Sequence, residues 1–171
     1  KDLAKNTKAS FCITTEALKN ELPNKCVALV VKNVLVSLSK LTTKFYPDSI
    51  NDDFDHSVVD ISQTTFRDDV KFGKNVLLGK NVSIGSKCLI GHNTIIEKNV
   101  SIGNNCSIGS NTIIEHGVVI GVNCIIGSGV HIKNSIIGSN VIISDNSTIG
   151  STGFGFSLSN MGAQNIYPHI G

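Results

Sequence analysis

Histidine is the side chain best suited to proton transfer near neutral pH, and this chain has five: His56, His92, His116, His131 and His169. No two of them have the spacing of a His-x4-His pair. Five cysteines, Cys12, Cys26, Cys88, Cys106 and Cys124, are an odd number without close pairs. The last three lie 18 apart, at positions where Val or Thr stands in equivalent places, so they read as small buried hydrophobes rather than a column of metal ligands. The remaining candidate is aromatic: Phe154 and Phe156, set among Gly153 and Gly155, could pack on a wall of the fold or line a slot for an acyl chain.

The elements that must position these residues follow from a six-residue step. Phe66, Phe72, Leu78, Ile84, Ile90, Ile96, Ile102, Ile108, Ile114, Ile120, Ile126 and Ile132 keep it without a break. An α-helix would carry such a step around its axis, and a lone strand repeats at two. Calling the large residue i, position i+1 is mostly Gly, i+4 is a smaller apolar type or Thr, and i+3 is nearly always Asn or Gly, the residues that best tolerate positive φ. Each hexad is therefore a short strand followed by a corner. Residues 18 apart also match in type, as with Glu97 and Glu115 or Thr94 and Thr112, so three hexads make one coil of a parallel β-helix. Equivalent residues stack about 4.8 Å apart in it, with i and i+4 inside the prism and the corners in water. His92 and His116 fall at corners on different edges, and His131 points outward from a face.

A net charge of +2 and 5% aromatic residues give no footing for nucleic acid, and no apolar run approaches membrane-spanning length. Residues 1–47 lack hexads and read as a small α/β piece. Its strands are expected in Ala9 to Thr14 and Cys26 to Val31, and a brief helix in Glu16 to Leu22. A second helix, capped by Asn33, should present Val34, Leu38, Leu41 and Phe45 as its apolar face. Residues 48–58 read as a polar linker and 59–171 as the β-helix, irregular at Val59, with a five-residue step from Ile132 to Ile137 and a loop insertion at 152–169. Lys1 in place of Met, and a hexad opened but not finished at Ile170-Gly171, suggest an excerpt of a longer protein. Outside the prism, Leu77, Ile95 and Ile113 are 18 apart and should form an apolar stripe continued by His131. A threefold homo-oligomer would bury it.

The sequence Ile149-Gly-Ser-Thr-Gly-Phe-Gly-Phe156, the return Ile166-Tyr-Pro-His-Ile-Gly171, and the hexads together resemble the UDP-3-O-(3-hydroxyacyl)glucosamine N-acyltransferase family. Ala28 to Asn33 is similar to the end of that family's uridine-binding domain. Thr152 stands where the family commonly has Asp, and His169 where it has Gln. The resemblance implies a left-handed coil and a cytoplasmic enzyme of Gram-negative type in lipid A biosynthesis. The reaction implied moves a 3-hydroxyacyl chain from acyl carrier protein to the 2-amino group of a UDP-sugar, without metal or cofactor. It makes Gly153, Phe154, Gly155 and Phe156 substrate contacts. The family's general-base histidine would come after Gly171 and its uracil-binding motif before Lys1, so no catalytic residue is expected in this chain. Rival readings are another hexapeptide acyltransferase, O-acylating a sugar nucleotide or using acetyl-CoA, and a trimeric β-helix scaffold. A zinc-binding relative of γ-class carbonic anhydrase would need a His-x4-His pair, which is absent.

Overall fold

The computed structural model describes residues 2–46, 54–63, 65–66, 69–151, 156–158 and 164–166. The chain forms two compact units, one of residues 1–53 with 152–171 and one of residues 54–151.

In the second unit every hexad does what its residue types require. The strands are two residues long, an outward side chain followed by an inward one, and they stack into three parallel faces. The first face holds Lys71–Phe72, Leu89–Ile90, Ser107–Ile108, Ile125–Ile126 and Ile142–Ile143. The second holds Leu77–Leu78, Ile95–Ile96, Ile113–Ile114, His131–Ile132 and Thr148–Ile149, and the third Ser83–Ile84, Ser101–Ile102, Val119–Ile120 and Ile136–Ile137. Pairing runs at 18 residues, as in Ile96 with Ile114, and drops to 17 after the short step, as in Ile120 with Ile137. The lost residue is absorbed at the corner. Asn134 turns there at φ 49°, Ser135 Oγ donates to the Lys133 carbonyl at 2.7 Å, and the bond from Val119 N to Ser135 O stretches to 3.3 Å.

The prism interior is the i and i+4 columns. Ile96, Ile108, Ile114, Ile120, Ile126 and Ile132 are buried together with Val76, Val100, Val118 and Val130. The polar members of the i+4 columns donate to the backbone. Thr94 and Thr112 hydroxyls donate to Gly109 O and Gly127 O, and the thiols of Cys88, Cys106 and Cys124 point at the carbonyls of Gly103, Gly121 and Gly138. A buried hydroxyl without such a partner would be costly. Corner residues adopt positive φ at Asn75, Asn81, Asn93, Asn99, Asn105, Asn111 and Asn123, and also at Lys87, a lysine in a place where Asn or Gly is the rule. Asn side chains bond down the corner, Asn75 to Asn93 at 3.0 Å and Asn93 to Asn111 at 3.1 Å, which adds a ladder outside the sheet.

The start of the unit departs from the repeat. Val59–Asp60 pairs antiparallel with Leu77–Leu78, so it lies across the top of the second face instead of opening a parallel coil. Within Phe54 to Val58, Phe54 and His56 are exposed and Ser57 and Val58 are half-buried. Asp55 is buried, its Oδ1 accepting from Ser57 N at 2.8 Å and its Oδ2 from Lys98 N at 2.7 Å. Burial pushes this carboxyl up, but hydrogen bonds from the Ser57 side chain and amide, the Lys98 amide and the Lys98 charge together hold it below its ordinary 3.8. A carboxyl depressed in the folded state contributes stability that is complete above its unfolded pKa and is lost as pH falls through the folded value. Stability should therefore decline below pH 3.8. Urea midpoints at about pH 3 and about pH 7 should differ less in Asp55→Asn than in the parent, and an equal difference would show that Asp55 is not a source of the acid sensitivity.

In the first unit Phe11–Thr14 (β1) pairs parallel with Val27–Val30 (β2), as Phe11 with Val27 through Thr14 with Val30. The helix expected at Glu16 to Leu22 is a single 3-10 turn, Lys19–Glu21, with bonds from Leu18, Glu21 and Leu22 amides each reaching three residues back. Pro23 ends the segment before an α-helical nucleus can be extended. Helix Val34–Phe45 begins as expected, Asn33 accepting from Val36 N at 3.1 Å. Its buried face does not. Ser39 and Thr42 are inside, while Leu38, Leu41 and Phe45 are exposed and Val34 is half-buried. The hydroxyl of Thr42 donates to Ser39 O, so this residue carries its own partner and can be buried, while the exposed Thr43 donates to the same carbonyl. Phe156–Leu158 and Gln164–Ile166 pair antiparallel, Phe156 with Ile166 and Leu158 with Gln164.

Candidate functional site

Gly153, Phe154 and Gly155 lie outside the described residues, as do His169 and the side chain of Phe156, whose backbone opens the Phe156–Leu158 strand. The other histidines are all engaged. His92 Nδ1 accepts from Lys74 N at 2.8 Å and its own amide donates to Ser110 Oγ, so this corner histidine caps the coil and is not merely solvated. The His56 ring lies tilted at 53° against that of Phe54, ring centroids 4.3 Å apart. His116 N donates to Glu97 Oε2 at 3.0 Å, with Nδ1 3.7 Å from the same oxygen. His131 Nε2 meets Glu115 Oε1 at 2.7 Å.

The last two pairs share one region, on the second face and the edge that follows it. Position i+1 is Gly in most hexads because the next coil leaves no room. A Cβ on Gly79 would stand 2.3 Å from Lys98 N and 2.7 Å from Glu97 C. Glu97 and Glu115 break that rule one coil apart. Glu97 is buried and is explained by the amide it accepts from His116. Glu115 serves the Nε2 side of the His131 imidazole, which is half-buried. Beside His131, in register across the strands, stand Ile113, Ile95 and Leu77, all half-buried. An imidazole fixed at one nitrogen by a carboxylate keeps the other available as acceptor, here at the end of an apolar column. The two glutamates at i+1, where glycine is the rule, were the sequence signal for this grouping. The sequence reading used them only as markers of the 18-residue period.

The interior cysteines are unsuited to nucleophilic work. Burial pushes the Cys106 thiol up, and Cys88, Cys106 and Cys124 are shielded from solvent. Among the described residues no group of three His, Cys, Asp or Glu could hold a metal ion, and no helix is long and apolar enough to cross a membrane.

Comparison with known proteins bears on the repeats. Residues 99–134 match the family described as bacterial transferase hexapeptide (six repeats), and residues 70–98 match the hexapeptide repeat of succinyl-transferase. No curated protein sequence matches the chain. Among solved structures, a mutant of perosamine N-acetyltransferase from Caulobacter crescentus in complex with CoA and GDP-perosamine is 22% identical. The match covers 49% of this chain and 46% of that one, with a TM-score of 0.27. A second mutant complex of GDP-perosamine N-acetyltransferase from the same organism is 18% identical over 78% of this chain and 70% of that one, TM-score 0.31. The chain thus spans about half the length of the first of these structures. Residues 70–134 carry the hexapeptide repeats of bacterial transferases, the sequence signature of the left-handed β-helix.

Proposed function

We propose that this chain belongs to an N-acyltransferase that moves a 3-hydroxyacyl chain from acyl carrier protein to the 2-amino group of a UDP-3-O-acylglucosamine in lipid A biosynthesis. The observation that carries the reading is a combination in one chain. A hexapeptide prism is accompanied by a unit with a parallel strand pair and a capped helix, and in sequence Gly153-Phe154-Gly155-Phe156 ends at the first residue of the strand Phe156–Leu158. The hexads alone would suit many acyltransferases. The Gly-Phe-Gly-Phe sequence and the α/β unit narrow them.

In the proposed reaction the sugar amine attacks the thioester carbonyl, a neutral imidazole takes the amine proton, and the thiol of the carrier leaves. A hydrogen-bond donor aimed at the developing oxyanion lowers the barrier. Neither metal nor covalent acyl-enzyme is needed. Gly153 to Phe156 are proposed to contact the acyl chain, and the base is proposed to come from outside residues 1–171.

The test is an assay of the full-length protein that carries this chain, with 3-hydroxyacyl carrier protein and UDP-3-O-acylglucosamine. N-acylation is expected, and use of acetyl-CoA or O-acylation of UDP-N-acetylglucosamine instead would overturn the assignment. The 171-residue chain alone is expected to give no turnover. Turnover above background that disappears in His131→Gln would place the base on the second face of this prism.

A further inference from the structure

The apolar side chains that point out of the second face are more sheltered than those of the other two. Leu77, Ile95, Ile113 and His131 follow one another in register along it and are all half-buried. On the first face the outward Leu89, Ile125 and Ile142 are 49%, 52% and 73% exposed, and on the third Val119 and Ile136 are 39% and 83% exposed. The exposed Thr148 continues the second-face column beyond His131. The column is therefore aliphatic from Leu77 to Ile113, about 10 Å at the strand spacing, and polar at one end only.

His131 stands at that polar end with its ring held in place. Its Nε2 meets Glu115 Oε1 at 2.7 Å, and the imidazole keeps 37% of its side-chain surface in solvent, within reach of a ligand. The carboxylate takes the Nε2 hydrogen bond and leaves the lone pair of Nδ1 to accept from a hydroxyl. Glu115 occupies a place where glycine is the rule, and its bond to this imidazole is what the departure provides.

We propose that this column is a subsite for a 3-hydroxyacyl chain, with the alkyl tail laid over Ile113, Ile95 and Leu77 and the 3-hydroxyl donating to His131 Nδ1. The inference rests on the acyl transfer proposed above and adds to it a specificity-determining residue. His131 is not a base in this role: the hydroxyl keeps its proton, and no covalent bond forms or breaks there. Two features of the column select this occupant. A hydrocarbon tail with one hydroxyl near its polar end has the same order of groups as the column. An alkyl chain is also narrow enough to lie along a single row of side chains, whereas a protein surface would cover the exposed Lys98 and half-buried Glu115 beside it and desolvate them. An acyl chain without the hydroxyl would leave Nδ1 unpartnered beneath it, and a site built to bond a hydroxyl rejects the analogue that lacks one.

The test compares kcat/KM of the full-length protein that carries this chain for two carrier-bound acyl donors of equal length, one 3-hydroxylated and one without the hydroxyl. The parent should prefer the hydroxylated donor by about tenfold or more. His131→Leu, which puts at 131 the residue type already present at Leu77 of the same column, should lose most of that preference, its kcat/KM falling chiefly for the hydroxylated donor. His131→Gln, whose amide oxygen can accept from the hydroxyl, should retain part of it. If leucine costs the fold, His131→Ala carries the same expectation. A parent that takes both donors equally, or a preference unchanged in His131→Leu, would overturn the subsite and leave the acyl-transfer reading standing. Failure of the parent to N-acylate with either donor would overturn that reading and the subsite with it. Light scattering of Ile95→Ser should give the parent's mass, and a lower mass would assign the column to a second copy of the chain and overturn the proposal.

Discussion

Ile114→Ala is expected to lower the unfolding free energy by about 2–5 kcal/mol, toward the upper end. Ile114 is fully buried and stacks between Ile96 and Ile132. Truncation removes the transfer free energy of its methyl groups and leaves a cavity that its neighbours cannot close. The strands above and below are held by bonds such as Glu97 N to Ile114 O and Glu115 N to Ile132 O, both 2.9 Å, so collapse would break the ladder. The adjacent Ile113→Ala provides the control. Its side chain points out of the same strand and is half-buried, so it should cost well under half as much. Urea unfolding of the two variants side by side measures the difference, and equal losses would mean that the assignment of inward and outward positions is wrong.

Gly109→Ala adds one methyl group and should be at least as damaging. A Cβ there would lie 2.4 Å from Gly127 C and Ser128 N and 2.5 Å from Gly127 O, all main-chain atoms of the next coil. The two coils are bonded at that point, Gly109 N to Ile126 O at 2.8 Å, so the clash can be relieved only by prising them apart. Overpacking of this kind costs about 1–3 kcal/mol where side chains can yield and more where backbone must. Loss of soluble expression or a fall in urea midpoint at least equal to that of Ile114→Ala is the expected result. Gly117→Ala isolates a different reason for glycine. Nothing stands within 4 Å of its Cβ position, but its φ is +72°, so the penalty is the left-handed backbone alone, about 1–2 kcal/mol. A Gly109→Ala protein as stable as Gly117→Ala would refute the close approach of the coils.

The inward position of Ile114 was legible in the sequence, whereas the reason for glycine at 109, the close approach of the next coil, was not, and the places where legibility ended have physical causes. The six-residue step identified the inward residues because a side chain that recurs once per strand must keep one environment. The Asn and Gly corners were legible because few residues accept positive φ, although Lys87 shows that the ladder can impose it on a lysine. The helix Val34–Phe45 was found with its cap, yet its buried side was misjudged. Hydropathy favours Leu38 and Leu41, and what decides the matter is whether the hydroxyl of Thr42 finds a carbonyl, which it does at Ser39. Asp55 was read as linker because carboxylates usually face solvent, and its two amide partners include one 43 residues away.

By itself the sequence determined the repeat, the number of strands per coil, and which residues enter the prism, because those follow from periodicity and the steric limits of each residue type along a single chain. Tertiary structure alone decided which surface groups meet, Glu115 with His131 and Glu97 with the amide of His116, and how far the outward column of the second face is sheltered. Such contacts join positions on neighbouring coils through side-chain reach and direction. Periodicity records that two residues lie on the same face, but their atoms must be placed before a hydrogen bond or a sheltered side chain can be recognised.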